Sequence, residues 1–115
     1  MARPKKMRSV QRPPLFSVFK PAGVRRGELQ SLELTLDEFE AIRLADHLGL
    51  DHAESADQMD ISRSTFSRLV EQARHKVALF LVEGRQLQID GGHIHFQGNL
   101  IRCHSCGHKI GRAHV

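Results

Sequence analysis

Apolar side chains recur at three- and four-residue steps through Phe66, Leu69, Val70, Ala73, Val77, Phe80 and Leu81. That spacing places them on one face of a helix. Ser62 stands at the N-cap position and Gly84 at the stop, so the pattern predicts a long helix beginning at Arg63. Its other side carries Arg63, Ser64, Ser67, Arg68, Glu71, Arg74 and His75. Upstream, Thr35-Leu-Asp-Glu38 is a capping box, and Leu36, Phe39, Ile42, Leu44 and Ala45 form the apolar side of a helix that Gly49 closes. Asp37, Glu38 and Glu40 suit the positive end of that helix dipole on an exposed helix start. Asp51, with Glu54 three residues on, caps a shorter helix through Ala53, Ala56 and Met59 that stops near Asp60.

The flanks have a different texture. Pro4, Pro13 and Pro14 disfavour helix over residues 1–14, which read as an extended basic arm. Leu15 to Phe19 alternates and suits a short strand before the turn-like Lys20-Pro-Ala-Gly23. Gly27 to Leu34 is a connector whose leucines face the core. Gln86 to Ile89 and His93 to Phe96 alternate on either side of Asp90-Gly-Gly92, which predicts a β-hairpin. The expected fold is therefore mainly α: a three-helix helix-turn-helix domain with a basic N-terminal arm and a small C-terminal β-hairpin. Its divisions are an arm and connector over 1–33, the helical domain over 34–84, and a hairpin with a Cys/His tail over 85–115.

A length of 115 residues suits one domain. No apolar run approaches the roughly 18 residues of a membrane span, and no apolar stretch follows the charged N-terminus as in a secretory signal. Two cysteines do not make a disulfide scaffold, so a cytoplasmic location without membrane contact is expected. With no Trp or Tyr, the six Phe are expected to supply the large core side chains. The net charge of +4 conceals blocks. Residues 1–26 hold eight Lys/Arg and no acid, whereas residues 27–60 hold ten acids and one base, Arg43. A basic face meeting a polyanion, and an acidic face turned away from it or toward a protein, would account for this.

The short helix, the tight Met59-Asp-Ile-Ser62 turn and the long capped helix form a helix-turn-helix pattern. The major groove of DNA admits one helix, whose first turns must expose short polar and Arg side chains to base edges. Arg63, Ser64, Ser67 and Arg68 meet that requirement, with Thr65 near a phosphate or base. Arg74 and Lys76, together with Arg3, Lys5, Lys6 and Arg8 of the arm, are candidates for phosphate contacts. The arm has two alternatives: insertion into a minor groove, or no role at all. The same caps and apolar stripes would also serve a plain three-helix bundle.

Residues 34–81 resemble the helix-turn-helix of region 4 in bacterial sigma-70-type factors. More closely, the chain resembles the UPF0251 (DUF134) family of small prokaryotic proteins over roughly residues 2–108. The shared features are RPKK at the start, FKPAG at 19–23, LTLDEFEAIRLAD at 34–46, SRSTFSRLVEQARHKVA at 62–78, and VEG with I.GG within 82–92. The resemblance implies DNA binding, with the helix over 63–82 as the reader. Met7 stands where many members have Cys.

Cys103-His-Ser-Cys106-Gly-His108 is one C-x-x-C knuckle, half of a zinc ribbon, because a structural zinc needs four ligands. Cys103, Cys106 and His108, with His93 or His95 as fourth ligand, would complete a zinc site. A dimer sharing the metal, a redox pair or inert thiols are alternatives. His47, His52 and His75 read as surface helix residues. No phosphate loop, nucleophile elbow or H-E-x-x-H motif is present, so an enzyme is not expected. The expected function is sequence-specific binding of double-stranded DNA as a homodimeric transcriptional regulator. The Leu79–Val82 stretch is either the dimer contact or a core strip under the hairpin. Two alternatives are an interaction module that binds RNA polymerase or another partner through the acidic helices, and a metal-sensing regulator.

Overall fold

Each of the three described α-helices starts where a side chain caps it. In the structure, a computed structural model that describes residues 7–92 and 94–96, Thr35 begins α1 (Leu36–Ile42). The Glu38 amide donates to the Thr35 hydroxyl at 3.4 Å, and the Thr35 amide donates to Glu38 Oε1 at 2.9 Å. The Thr35 hydroxyl itself donates to Asp37 Oδ1. α1 passes into a π-helical turn, Arg43–His47, in which the Leu48 amide reaches back to the Arg43 carbonyl at 2.9 Å. The predicted first helix is thus two pieces, ended by Gly49 at φ +77°. Asp51 and Glu54 cap α2 (His52–Met59) reciprocally, at 2.7 and 3.1 Å. Ser62 caps α3 (Arg63–Glu83), and Gly84, at φ +66°, stops it.

The turn between α2 and α3 is built around Asp60, the only non-glycine residue with positive φ among those described (φ 64°). The Ile61 amide bonds the Ala56 carbonyl at 3.0 Å and the Asp60 amide bonds the Asp57 carbonyl at 3.2 Å. This is a Schellman ending with Asp, a residue that tolerates the left-handed region, where glycine is commonest.

Among the described residues, the core holds two clusters. Ala41, Leu44, Ala56, Met59, Phe66, Leu69 and Val70 join the three helices, with Ala45, Leu50 and Ile61 at the edge. Leu34, Ala73, Leu87 and Ile89 form the second, flanked by Leu32, Leu36, Phe39, Ile42 and Phe80. α1 therefore has two apolar faces rather than the single stripe expected of it. α3 is the spine shared by both clusters. Of the phenylalanines with described side chains only Phe66 is fully buried, and Phe16 and Phe19 are exposed. Phe66 is joined in the interior mainly by Leu, Met, Val and Ala, with Phe39 and Phe80 at its edge, rather than by all six Phe. Leu81, assigned above to the apolar stripe, is 69% exposed, because the core ends one turn before the helix does.

The strands depart most from expectation. β2 (Val18–Phe19), β3 (Ser31–Leu34) and β4 (Gln86–Ile89) form a sheet in the order β2-β4-β3, with β2 antiparallel and β3 parallel to β4. β1 (Arg8–Val10) pairs in parallel with β5 (Ile94–Phe96). The predicted hairpin does not form: both of its strands exist, but each pairs elsewhere. The Asp90-Gly-Gly92 turn instead runs beside the start of α1. Gly91 O accepts from the Leu36 amide at 3.0 Å, and the Asp90 amide donates to Leu34 O at 3.0 Å. The supposed connector contains β3. Part of the expected extended arm is β1, where Ser9 and Val10 are buried. No described helix is long and apolar enough to cross a membrane.

Candidate nucleic-acid interface

The first two turns of α3 project the residues singled out from the sequence. Arg63, Ser64 and Arg68 are exposed, while Thr65 and Ser67 are half-buried. The hydroxyls are already organised. Ser62 Oγ accepts from the Thr65 amide at 3.1 Å, donates to Thr65 Oγ1 at 2.8 Å and lies 3.3 Å from Ser64 Oγ. Ser67 Oγ lies 2.9 Å from Nδ1 of His52, the first residue of α2. Among the described residues, the ion pairs include neither Arg63 nor Arg68. An open groove follows α3 past Thr65, Ser67, Arg68, Arg74 and His75, and His52 and Arg8 also line it.

The three other described cations proposed for phosphate contact have partners inside the fold. Arg8 Nη1 lies 2.6 Å from Asp37 Oδ2, and Lys76 Nζ lies 2.8 Å from Glu38 Oε1. Arg74 makes a two-pronged pair with Asp46, at 3.0 and 2.7 Å. In that pair the guanidinium hydrogen bond holds the Asp46 carboxyl below its usual range, against a smaller opposing effect of burial. The same bond raises Arg74 above its ordinary value. Arg74 and Asp46 are both about half exposed, so solvent and salt weaken the pair. Arg8 and Lys76 are engaged with buried carboxylates and are held more firmly.

Asp37, Glu38 and Glu40 are buried, not displayed on an exposed helix start. Glu40 is 1% exposed. It accepts from Arg43 Nε at 2.8 Å, from Arg43 Nη2 at 3.0 Å and from the Gln11 amide at 3.0 Å. The bond to Glu40 also raises Arg43 above its ordinary value. Gln11 continues the network to Arg43 through Oε1 at 2.6 Å and to Gln58 on α2 through Nε2 at 2.7 Å. The centre of the acidic block is therefore internal wiring. Sequence reasoning missed Gln11, Gln58 and the role of His52, since none is itself a Lys, Arg or carboxylate of the charge blocks or part of an apolar stripe.

Arg3, Lys5 and Lys6 lie outside the described residues, as do His93, Cys103, Cys106 and His108. His95 falls in β5.

This arrangement can be set beside known proteins. A family model described as "Protein of unknown function DUF134" matches residues 1–97. The chain belongs to the DUF134 family. A UPF0251 protein of Chloroherpeton thalassium is 50% identical over 109 residues, covering 95% of this chain and 72% of the relative. One from Pelotomaculum thermopropionicum is 43% identical over 109 residues, covering 95% and 83%. One from Halothermothrix orenii is 42% identical over 110 residues, covering 96% and 82%. No solved structure matches. The I.GG motif within 82–92 acquires a structural meaning in this DUF134 chain: a Cβ on Gly92 would stand 2.9 Å from Asp37 Oδ1 and 3.3 Å from Thr35 Cβ.

Proposed function

We propose that this DUF134 chain is a sequence-specific DNA-binding protein that regulates transcription, with α2, the Asp60 turn and α3 acting as a helix-turn-helix of the sigma region 4 type. The observation that carries the reading is the state of the first two turns of α3. Arg63 and Arg68 are exposed and outside the ion pairs of the described residues, while Arg43, Arg74 and Lys76, the other Lys and Arg of residues 34–84, are each bound to a carboxylate. Guanidinium forks at the start of a long capped helix suit guanine edges in the major groove, and the helix start suits a phosphate. Ser64, Thr65 and Ser67 supply the short polar contacts beside them. Arg74 faces the same groove and exchanges Asp46 for a phosphate at little cost, because that pair is solvent-exposed. A homodimer would place two such helices on paired half-sites.

The alternative of an acidic protein-binding face loses support from the burial of Asp37, Glu38 and Glu40. The deciding experiment is selection of a random duplex pool by the purified protein at two salt concentrations, with and without zinc. An enriched palindromic motif is the expected result. Failure to retain any duplex at low salt would overturn the reading.

A further inference from the structure

His52 lies next to the proposed reading surface without belonging to it. It is the first residue of α2, directly after the Asp51 cap that fixes where the helix starts. Its ring meets Phe66 edge-on, with centroids 5.3 Å apart and planes at 70°. Phe66 is fully buried, so the ring rests on a rigid floor. From that position Nδ1 points at Ser67 Oγ, 2.9 Å away, on the second turn of α3. The aromatic floor and the hydroxyl both hold the imidazole in this orientation.

A serine hydroxyl has one proton and two lone pairs. Left alone it turns to suit either kind of base edge, and so discriminates poorly. A hydroxyl already bonded to a fixed ring nitrogen has committed one of those roles. When its proton is given to Nδ1, it offers the groove lone pairs alone; when Nδ1–H is given to it, its proton and one lone pair both remain. We infer that His52 is a positioning residue for base selection: with Nδ1 accepting the Ser67 proton, it turns an adaptable hydroxyl into an acceptor-only, discriminating contact. This rests on the DNA-binding reading above and adds to it the residue that sets specificity at one base position without touching the base.

The test uses the full chain, its variants Ser67→Ala, His52→Phe and His52→Asn, and selection from a random duplex pool followed by sequencing. Phe keeps the ring on Phe66 but has no nitrogen, whereas Asn places a polar atom near the position of Nδ1. Ser67→Ala is expected to flatten the preference at one position. His52→Phe should flatten the same position, by about two- to tenfold, the worth of one hydrogen bond, and leave the others unchanged. His52→Asn should restore it. Unchanged preferences in His52→Phe, or equal weakening on every sequence, would overturn the role of His52 and leave the DNA reading standing. Wild-type protein that retains no duplex would overturn both. Nitrogen-15 spectra of the imidazole in the free protein give a second measurement that needs no DNA and no ring variant. A single Nε2–H tautomer of His52 that shifts to a mixture in Ser67→Ala is expected; the Nδ1–H tautomer, or a mixture indifferent to Ser67→Ala, would overturn the inference.

Discussion

Glu38 Oε1 accepts two hydrogen bonds: from the Thr35 amide at 2.9 Å and from Lys76 Nζ at 2.8 Å. One carboxylate oxygen thus closes the α1 capping box and ties α1 to the middle of α3. The helix that carries the proposed reading surface is anchored to the rest of the fold through the cap of another helix. Lys76→Met removes the cation and leaves a carboxylate that is 5% exposed without it. Loss of about 1–3 kcal/mol in urea unfolding is expected. The same variant tests the alternative role of Lys76. A salt slope of duplex binding that falls by about one would show Lys76 on a phosphate, whereas an unchanged slope with lower stability would show it bound to Glu38.

Glu40 should matter more. Its carboxylate neutralises Arg43 and holds the Gln11 amide, so it couples α1 to the segment following β1. Glu40→Ala leaves the guanidinium of Arg43 without its carboxylate, and removal of one partner of a buried pair costs about 3–5 kcal/mol. A shift in the urea midpoint of that size is expected. A loss below about 1 kcal/mol would mean that water replaces the carboxylate.

Gly92 is required by both backbone and space. Its φ is +97°, and a side chain there would crowd Asp37 and Thr35 at the α1 cap. Gly92→Ala is expected to lower stability by about 1–3 kcal/mol through strain and displacement of the cap. Gly27→Ala, where nothing lies within 4 Å, is the matched control and should change little. Equal effects in the two variants would show that the close approach has no consequence.

The pairing of Arg74 with Asp46 makes a pH-dependent prediction. The Asp46 carboxyl is held below its ordinary value, so its contribution to stability is complete above the unfolded value near ~3.9. That contribution is lost as pH falls through the lowered value. Asp46→Asn should therefore cost less than about 1 kcal/mol at neutral pH and nothing at the acid end, since the pair is half exposed. It should also release Arg74, raising non-specific duplex affinity and steepening the salt slope. An acid-unfolding profile identical to wild type would remove the pair from the stability of the fold.

These relationships show what the sequence displays and what it hides. Caps at Thr35, Asp51 and Ser62, the stop at Gly84 and the α3 stripe are local signals, since each depends on residues three or four apart. They placed all three helices. β1–β5 and β3–β4 are parallel pairs between segments distant in the chain, and alternation within a strand does not identify its partner. Asp90-Gly-Gly92 carries a hairpin signal because glycines permit the turn, but the turn packs on α1 instead. The acidic block reads as surface because carboxylates are rarely buried; only the placement of Arg8, Lys76 and Arg43 around it makes burial affordable. At the proposed interface, Arg63 and Arg68 were legible as the polar side of an amphipathic helix. His52 was not, because its relation to Ser67 arises from the angle between two helices.

The two arginines at the start of α3 should separate from the other cations in a way no structural role can imitate. Arg68→Ala removes an exposed side chain outside the described ion pairs, so unfolding should change by less than about 0.5 kcal/mol. On the selected DNA site the loss should be about 1–3 kcal/mol, confined to one base position, as for a lost fork on guanine. Arg63→Ala should act likewise at a neighbouring position. An Arg68→Ala variant weakened equally on every duplex, with the salt slope reduced by about one, would move Arg68 from base edge to backbone. Full retention of affinity and motif would take the first turns of α3 out of the groove.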